Sequence, residues 1–495
     1  MHLKIINRQK STFLALFLCL WFSEVQAKKS PTKAIVSAVN AVQNEAAFKG
    51  ASIGFYAVNI TKNKVITDIN STKSFMPAST LKLLTTAAAL ETLGKDHRFK
   101  TIIQYDGEID EEGTLHGDIY IKGGGDPTLG SRNFRDQYYQ PYFIDTWVQA
   151  VQAKGIRKVT GSVIGDASIY TDAWIIPDTW SVGDLGEYYA AAVDGLSIFD
   201  NICSINLQSI QEGEAVSSID VVPSLPEEVK IISQVKGAAI DNHQIDISGF
   251  PEHALRVIQG EIPCDGRTVT AESTVPNPTH WAAYTLHQAL QAKEIEVAQS
   301  PTTMRRSTMS STIARQDLHT TLSPPLSEIV MIANHESVNN YVEHLLRHLS
   351  LAASGPGDGI SGTQALKQFW SERGVDVAGM LLHDGSGLSR YNALTPRQLV
   401  EALCYMKNSP HCVRFCDSLP IAGETGNLVI PFSDASFKGK LRAKSGALSH
   451  VRGFAGYCTN QGEDEIAFAV IINHHGGSRS SADKAVARIL ETLVQ

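Results

Sequence analysis

Three short stretches carry side chains that could make and break an acyl bond. The first is Ser79-Thr80-Leu81-Lys82, heading the apolar run "PASTLKLLTTAAAL" (77–90). On a helix, positions i and i+3 share a face, with Cβ atoms roughly 5–6 Å apart. A serine hydroxyl becomes a useful nucleophile once a base takes its proton. Lysine can be that base if burial or a nearby cation lowers its pKa. Leu81, Leu83, Leu84 and Ala87 to Ala89 could bury Lys82. Taken alone, the pair also reads as a helix start with Ser79 as N-cap and Lys82 in solvent. The second stretch is Ser337-Val338-Asn339, inside "NHESVNN". Ser337 can pass a proton to a leaving amine, and Asn339 can hold Lys82 and bond a substrate amide. The third is Lys444-Ser445-Gly446, followed by Ala447, on an expected strand. Lys444 offers charge to a substrate carboxylate and helps lower the pKa of Lys82. The strand from Ser445 to Ala447 can pair with an extended peptide, and Gly446 leaves room for a close backbone approach. The N–H groups of Ser79 and Ala447 would form an oxyanion hole. The trio in this order favours a serine–lysine acyl-transfer centre over the capped helix.

Other combinations carry less. "IKGGGDPTLGS" lacks the Gly-Lys-Ser/Thr end of a phosphate loop and reads as a tight turn, with Asp126 able to cap it. "DGSGLSR" is not G-x-S-x-G, so Ser386 reads as part of a turn near the site, with Asp384 and Arg390 in structural pairings. His344 and His348 are spaced to ligate zinc beside Glu343. A lone pair of this kind on an amphipathic helix is ordinarily structural, so no metal and no cofactor is expected.

The elements that must position these groups follow from the rest of the chain. With 495 residues, 43% hydrophobic and 19% charged, it is globular and long enough for several domains. A net charge of -8 argues against a nucleic-acid partner. The basic start "MHLKIINRQK", the apolar "TFLALFLCLWF" and the small residues of "VQA" read as an export signal over 1–27. Its apolar core falls short of the about 20 residues that span a bilayer, and the mature chain offers no transmembrane segment. Export implies the periplasm or outer face. Six cysteines then remain, from Cys203 to Cys458, and the sequence does not choose their pairing.

Ala34 to Asn44 reads as a short helix. "ASIGFYAVNI" and "KVITDINS" alternate about a short turn and form an antiparallel hairpin. Leu81 to Leu93 is a buried helix, apolar on every side. From about Phe99 to 276 short strands dominate, a β-rich insert of two nested pieces. "NPTHWAAYTLHQALQAKEI" restores a helical period, and "LSEIVMIANHESVNNYVEHLLRHLS" is helical on both sides of a polar break. "FKGKLRAKSGAL", "HVRGFAGYCTN" and "EIAFAVIINHH" are consecutive strands before a terminal helix. The expectation is an α/β (α+β) domain over 28–98 and 277–495. Its five-stranded antiparallel sheet is flanked by helices and interrupted by the insert at 99–276.

Along nearly all of the mature chain the sequence resembles class C low-molecular-mass penicillin-binding proteins, of the D-alanyl-D-alanine carboxypeptidase/endopeptidase (peptidase S13) family. The carriers are "PASTLKLLTTAAALETLG" (77–94), "IKGGGDPTL" (121–129), "GLSIFDN" (195–201), "SPPLSEIVMIANHESVNN" (323–340), "DGSGLSRYN" (384–392) and "AKSGALSHVRGFAGY" (443–457). The long gap between Lys82 and Ser337 is a family trait; in ordinary β-lactamases these stretches lie much closer. Ser-Val-Asn replaces the common Ser-Asp-Asn, and Lys-Ser-Gly replaces Lys-Thr-Gly while keeping a hydroxyl. The resemblance implies a periplasmic serine peptidase that trims peptidoglycan pentapeptides and cuts cross-links through an acyl-enzyme on Ser79. It implies Ser79, Lys82, Ser337 and Asn339 as catalytic residues, and Lys444, Ser445, Gly446 and Ala447 as substrate-binding ones. β-Lactams are implied as covalent inhibitors, and Asp194 or Asp200 as a carboxylate meeting a substrate ammonium. The alternatives are a β-lactamase or D-peptide esterase on the same fold, and a non-catalytic wall- or β-lactam-binding protein.

Overall fold

The computed structural model describes residues 31–139, 142–171, 176–306, 314–434 and 436–495; the expected export signal lies outside them. Helix α1 (Pro31–Asn44) leads into the expected hairpin, β1 (Ser52–Asn59) and β2 (Lys64–Ile69). The three strands expected near the other end are β3 (Leu441–Leu448), β4 (Val451–Thr459) and β5 (Glu465–Asn473). All five form one antiparallel sheet in the order β3-β4-β5-β1-β2. β1 pairs with β5 from Ser52↔Asn473 to Asn59↔Ile466, which joins the two ends of the described chain.

Strand β5 is buried on both faces, which is why it reads as an apolar run rather than an alternation. Phe468, Val470 and Ile472 join a core with Ile35 and Val39 of α1 and with Val486 and Ile489 of the terminal helix Arg479–Val494. Ala467, Ala469 and Ile471 belong to the larger core on the opposite face. Burying a side chain of the Val, Ile or Phe class contributes about 1.5–3 kcal/mol.

The central helix of that larger core is α2 (Lys82–Leu93), buried at every residue from Lys82 to Leu90. Ahead of it Ala78–Leu81 forms a 3₁₀ turn. The helices expected around the polar break are α3 (Leu326–His335) and α4 (Asn339–Ala352), and both pack on α2.

The insert ends later than its expected limit of 276. Lys100–Tyr105, Ile119–Lys122 and Val163–Asp166 share a five-stranded sheet with Thr302–Thr303 and Gln316–Leu322. The helical period expected after 276 is present as Pro278–Gln291. It packs on the insert: a Cβ on Gly165 would lie 2.6 Å from the Thr279 carbonyl oxygen. Pairing therefore ties Thr302–Thr303 and Gln316–Leu322 to the insert's sheet rather than to the central one. Strands between Ile202 and Thr274 pair with one another in a three-stranded and a four-stranded sheet. That nested piece closes on itself, Val275 N–H donating to the Asn201 carbonyl at 3.0 Å.

The six described cysteines are free, with Cys412 Sγ and Cys416 Sγ 3.8 Å apart. Among the described residues no helix is long and apolar enough to cross a membrane.

Candidate active site

The turn that presents Ser79 is built against its own preferences. Ala78 sits at φ 48, a left-handed conformation that costs a residue with a Cβ roughly 1–2 kcal/mol. Thr80 holds the turn, its Oγ1 donating to the Pro77 carbonyl at 2.7 Å. Two glycines press on it. A Cβ on Gly387 (φ 84) would lie 1.9 Å from the Ala78 carbonyl oxygen, and one on Gly446 would lie 2.7 Å from that of Pro77. Any side chain at Gly446 would collide with that turn. The helix caps fall on Pro77 and Leu81, so Ser79 does not cap and its hydroxyl stays half-exposed. In a 3₁₀ turn the side chains at i and i+3 eclipse, which lines Ser79 up with Lys82.

Lys82 is fully buried. Its Nζ lies 2.9 Å from Ser79 Oγ, 2.8 Å from the Ser386 carbonyl oxygen, and in hydrogen-bond contact with Asn339 Oδ1. Burial lowers its pKa to about 7, against the carboxylates of Asp384 and Glu343, which pull it upward. A neutral amine has two N–H groups and one lone pair. Asn339 and Ser386 accept the two N–H groups, and the lone pair is left for the Ser79 hydroxyl.

Each of those acceptors is held in turn. Asn339, the first residue of α4, donates from Nδ2 to the Tyr189 carbonyl at 2.7 Å. One helical turn on, Glu343 accepts from the N–H groups of Gly385 (3.0 Å) and Ser386 (2.7 Å), which fixes the Ser386 peptide. Burial and the neighbouring Asp384 raise the pKa of Glu343 to about 7. Asp384 accepts from the N–H groups of Gly387 and Ser389, from Asn392 Nδ2 and from Trp180 Nε1, at 2.6–2.9 Å. The turn expected at "DGSGLSR" therefore supplies one ligand of the lysine through its backbone, which the side-chain pattern did not signal.

Ser79 opens on a cavity of about 390 Å³. Ser337 (φ 62), Asn339, Ser445 and Ala447 also line it. Lys444 and Gly446 do not, because alternate residues of a strand point to opposite faces. Lys444 is fully buried, and its Nζ donates to the Ser445 carbonyl at 2.9 Å. Burial, then Lys82 and Arg452, push its pKa well below the usual lysine value. Asp194 is not on the wall of that cavity, and Asp200 lines a neighbouring cavity of about 330 Å³ that shares Ser337 and Asn339 with it. Asp194 accepts from Thr279 Oγ1 at 2.6 Å, and Asp200 from Tyr341 at 2.9 Å. The carboxylates on the wall of the Ser79 cavity are Asp184 and Glu336. His344 Nδ1 and His348 Nε2 both meet the Gly125 carbonyl, at 3.1 and 3.2 Å. Among the described residues no cluster could hold a metal ion.

The model of the D-Ala-D-Ala carboxypeptidase 3 (S13) family matches residues 35–493. The chain is 27% identical over 482 residues to a D-alanyl-D-alanine carboxypeptidase of Actinomadura sp. (strain R39), covering 92% of this chain and 84% of that one. It is 25% identical to the D-alanyl-D-alanine carboxypeptidase DacB of Haemophilus influenzae, covering 86% of each. The crystal structure of penicillin binding protein 4 from Haemophilus influenzae has the same fold. Its TM-score is 0.78 at 23% identity, over 92% of this chain and 98% of that one.

Proposed function

The chain belongs to the D-Ala-D-Ala carboxypeptidase 3 (S13) family, and from that premise we propose that it is a serine-type D-alanyl-D-alanine carboxypeptidase and DD-endopeptidase. Its substrates are peptidoglycan stem peptides, its intermediate is an acyl-enzyme on Ser79, and it works in the periplasm after export. The observation that carries this is the buried lysine 2.9 Å from the Ser79 hydroxyl, with both of its N–H groups taken by fixed acceptors.

Lys82 takes the proton as Ser79 Oγ attacks the carbonyl of a D-alanyl peptide bond. The N–H groups of Ser79 and Ala447 bind the developing oxyanion. Ser337, on the wall beside them, passes the proton to the leaving nitrogen. D-Alanine departs from a pentapeptide, or a stem peptide from a cross-link, and water then hydrolyses the ester. A β-lactam opened by the same attack leaves its acyl group on Ser79.

Labelled penicillin tests this directly. The expected result is stable one-to-one labelling, lost in Ser79→Ala, with release of D-alanine from a pentapeptide. Folded protein that takes no label would overturn the proposal, and rapid drug turnover without peptidase activity would indicate a β-lactamase instead.

A further inference from the structure

Two of the stretches that carry the family resemblance, "IKGGGDPTL" (121–129) and "GLSIFDN" (195–201), supply none of the groups that meet Lys82. They meet each other, Gly125 N–H donating to the Gly195 carbonyl at 3.0 Å and Phe199 N–H to that of Leu129 at 2.8 Å. Both also face α4. His344 joins them there, its Nδ1 at the Gly125 carbonyl and its Nε2 3.0 Å from Ser197 Oγ. The second stretch ends in a costly turn. Phe199, Asp200 and Asn201 follow one another at φ 53, 58 and 58, a left-handed run that a Cβ disfavours at every residue. Strain of this kind persists only where the surroundings over-determine it, and it gathers at functional sites. Here Asn201 closes the turn: its Nδ2 donates to the Ala192 carbonyl and to Ser197 Oγ, both at 2.8 Å, and its Oδ1 accepts from the Ile198 N–H.

The turn aims the Asp200 carboxylate at α4, where it accepts from the buried Tyr341 hydroxyl at 2.9 Å. Ser131 Oγ and Asn133 Nδ2 reach the same hydroxyl, at 2.6 and 3.2 Å. Tyr341 is the third residue of α4. The first, Asn339, bonds the Tyr189 carbonyl, and the second, Asn340, donates from Nδ2 to the Ala192 carbonyl at 3.2 Å. Each of the three is thus tied to the insert at a different point, and the first of them holds Lys82.

We propose that Asp200 and Tyr341 are positioning residues for acyl transfer: their bond sets the first turn of α4, and so keeps Asn339 Oδ1 on Lys82 Nζ and Ser337 on the wall of the Ser79 cavity. The inference rests on acyl transfer at Ser79, and it gives the left-handed turn its purpose.

The test follows acylation by penicillin in the wild type, Tyr341→Phe, Asp200→Asn and Asp200→Ala, from about pH 5.5 to 8.5, each rate referred to the fraction of protein that takes label. Tyr341→Phe should slow the plateau rate about tenfold or more, since a small displacement of a reacting group is that costly. It should also carry the acid limb at least about 0.3 in pH lower, because an acceptor on Lys82 favours the ammonium over the amine. Asp384, Glu343 and Lys444, the charged groups around Lys82, are the same in every variant. Loss of stability alone would lower the labelled fraction and leave the limb in place. Asp200→Asn tolerates the left-handed turn and still accepts from Tyr341, so it should stay within about threefold of the wild type. Asp200→Ala should match Tyr341→Phe, and the double variant should be slower than either by no more than about twofold. A wild-type rate or an unmoved limb in Tyr341→Phe overturns the role, and so does a double variant whose losses multiply. Should Tyr341→Phe or Asp200→Ala fail to fold, the other decides by the same rate and limb. A wild type that takes no label sinks acyl transfer itself, whereas a labelled wild type with unaffected variants sinks only this proposal.

Discussion

Once neutral, Lys82 has a single lone pair and one place to use it. The acylation rate should therefore follow its deprotonation. Below about pH 7 the second-order rate with penicillin should fall by about tenfold per unit, because the protonated amine cannot accept the Ser79 proton; above it the rate should level off. A flat profile between about pH 5.5 and 8.5 would count against Lys82 as the base. Lys82→Met should slow acylation by about 10²–10⁴-fold, read as the rate of penicillin labelling. Glu343 and Asp384 both raise the pKa of Lys82, so Glu343→Gln should move the acid limb to lower pH; movement upward would contradict the assignment. At this scale the sequence located Ser79, Lys82 and Asn339 through spacing and order. Spacing does not say which face of an edge strand looks into a cavity, and Lys444 is not among the residues that line this one.

The strands and helices around the site were legible because their periods of 2 and 3.6 reflect which faces are buried. The 3₁₀ turn that carries Ser79 was not. Its apolar residues run on smoothly into α2, and nothing in an alanine announces φ 48. Only the approach of distant glycines reveals the constraint. Gly387→Ala should strain a residue at φ 84 and drive its Cβ into the Ala78 carbonyl. The expected result is a Tm lowered by several degrees and acylation slowed on the order of a hundredfold, since small displacements of a reacting atom are that costly. Wild-type labelling by Gly387→Ala would show that the turn is not held this way. The helix at Pro278–Gln291 was predicted correctly, but its period could not say which sheet it covers.

Over the whole molecule, the insert is part of the catalytic apparatus as well as its surroundings. The Tyr189 carbonyl holds Asn339, and the Trp180 indole holds Asp384. Trp180→Phe should slow acylation even though it touches neither Ser79 nor Lys82. The nested piece closes where Asn201 and Val275 bond to each other, and it also braces the segment that carries Tyr189, Thr274 N–H donating to the Gly186 carbonyl and Ile247 N–H to Glu187. Replacing 202–274 by a short linker removes those braces and should slow penicillin labelling; wild-type labelling in a folded protein would show that the site does not depend on the piece. The pairing of β1 with β5 reaches across the chain. During synthesis Ser79 emerges long before Asn339, Ser386 and Gly446. An unfinished chain thus carries the hydroxyl without the groups that hold its base or clamp its turn. Reactivity waits for the last strands, so a growing chain cannot spend its nucleophile before it is whole.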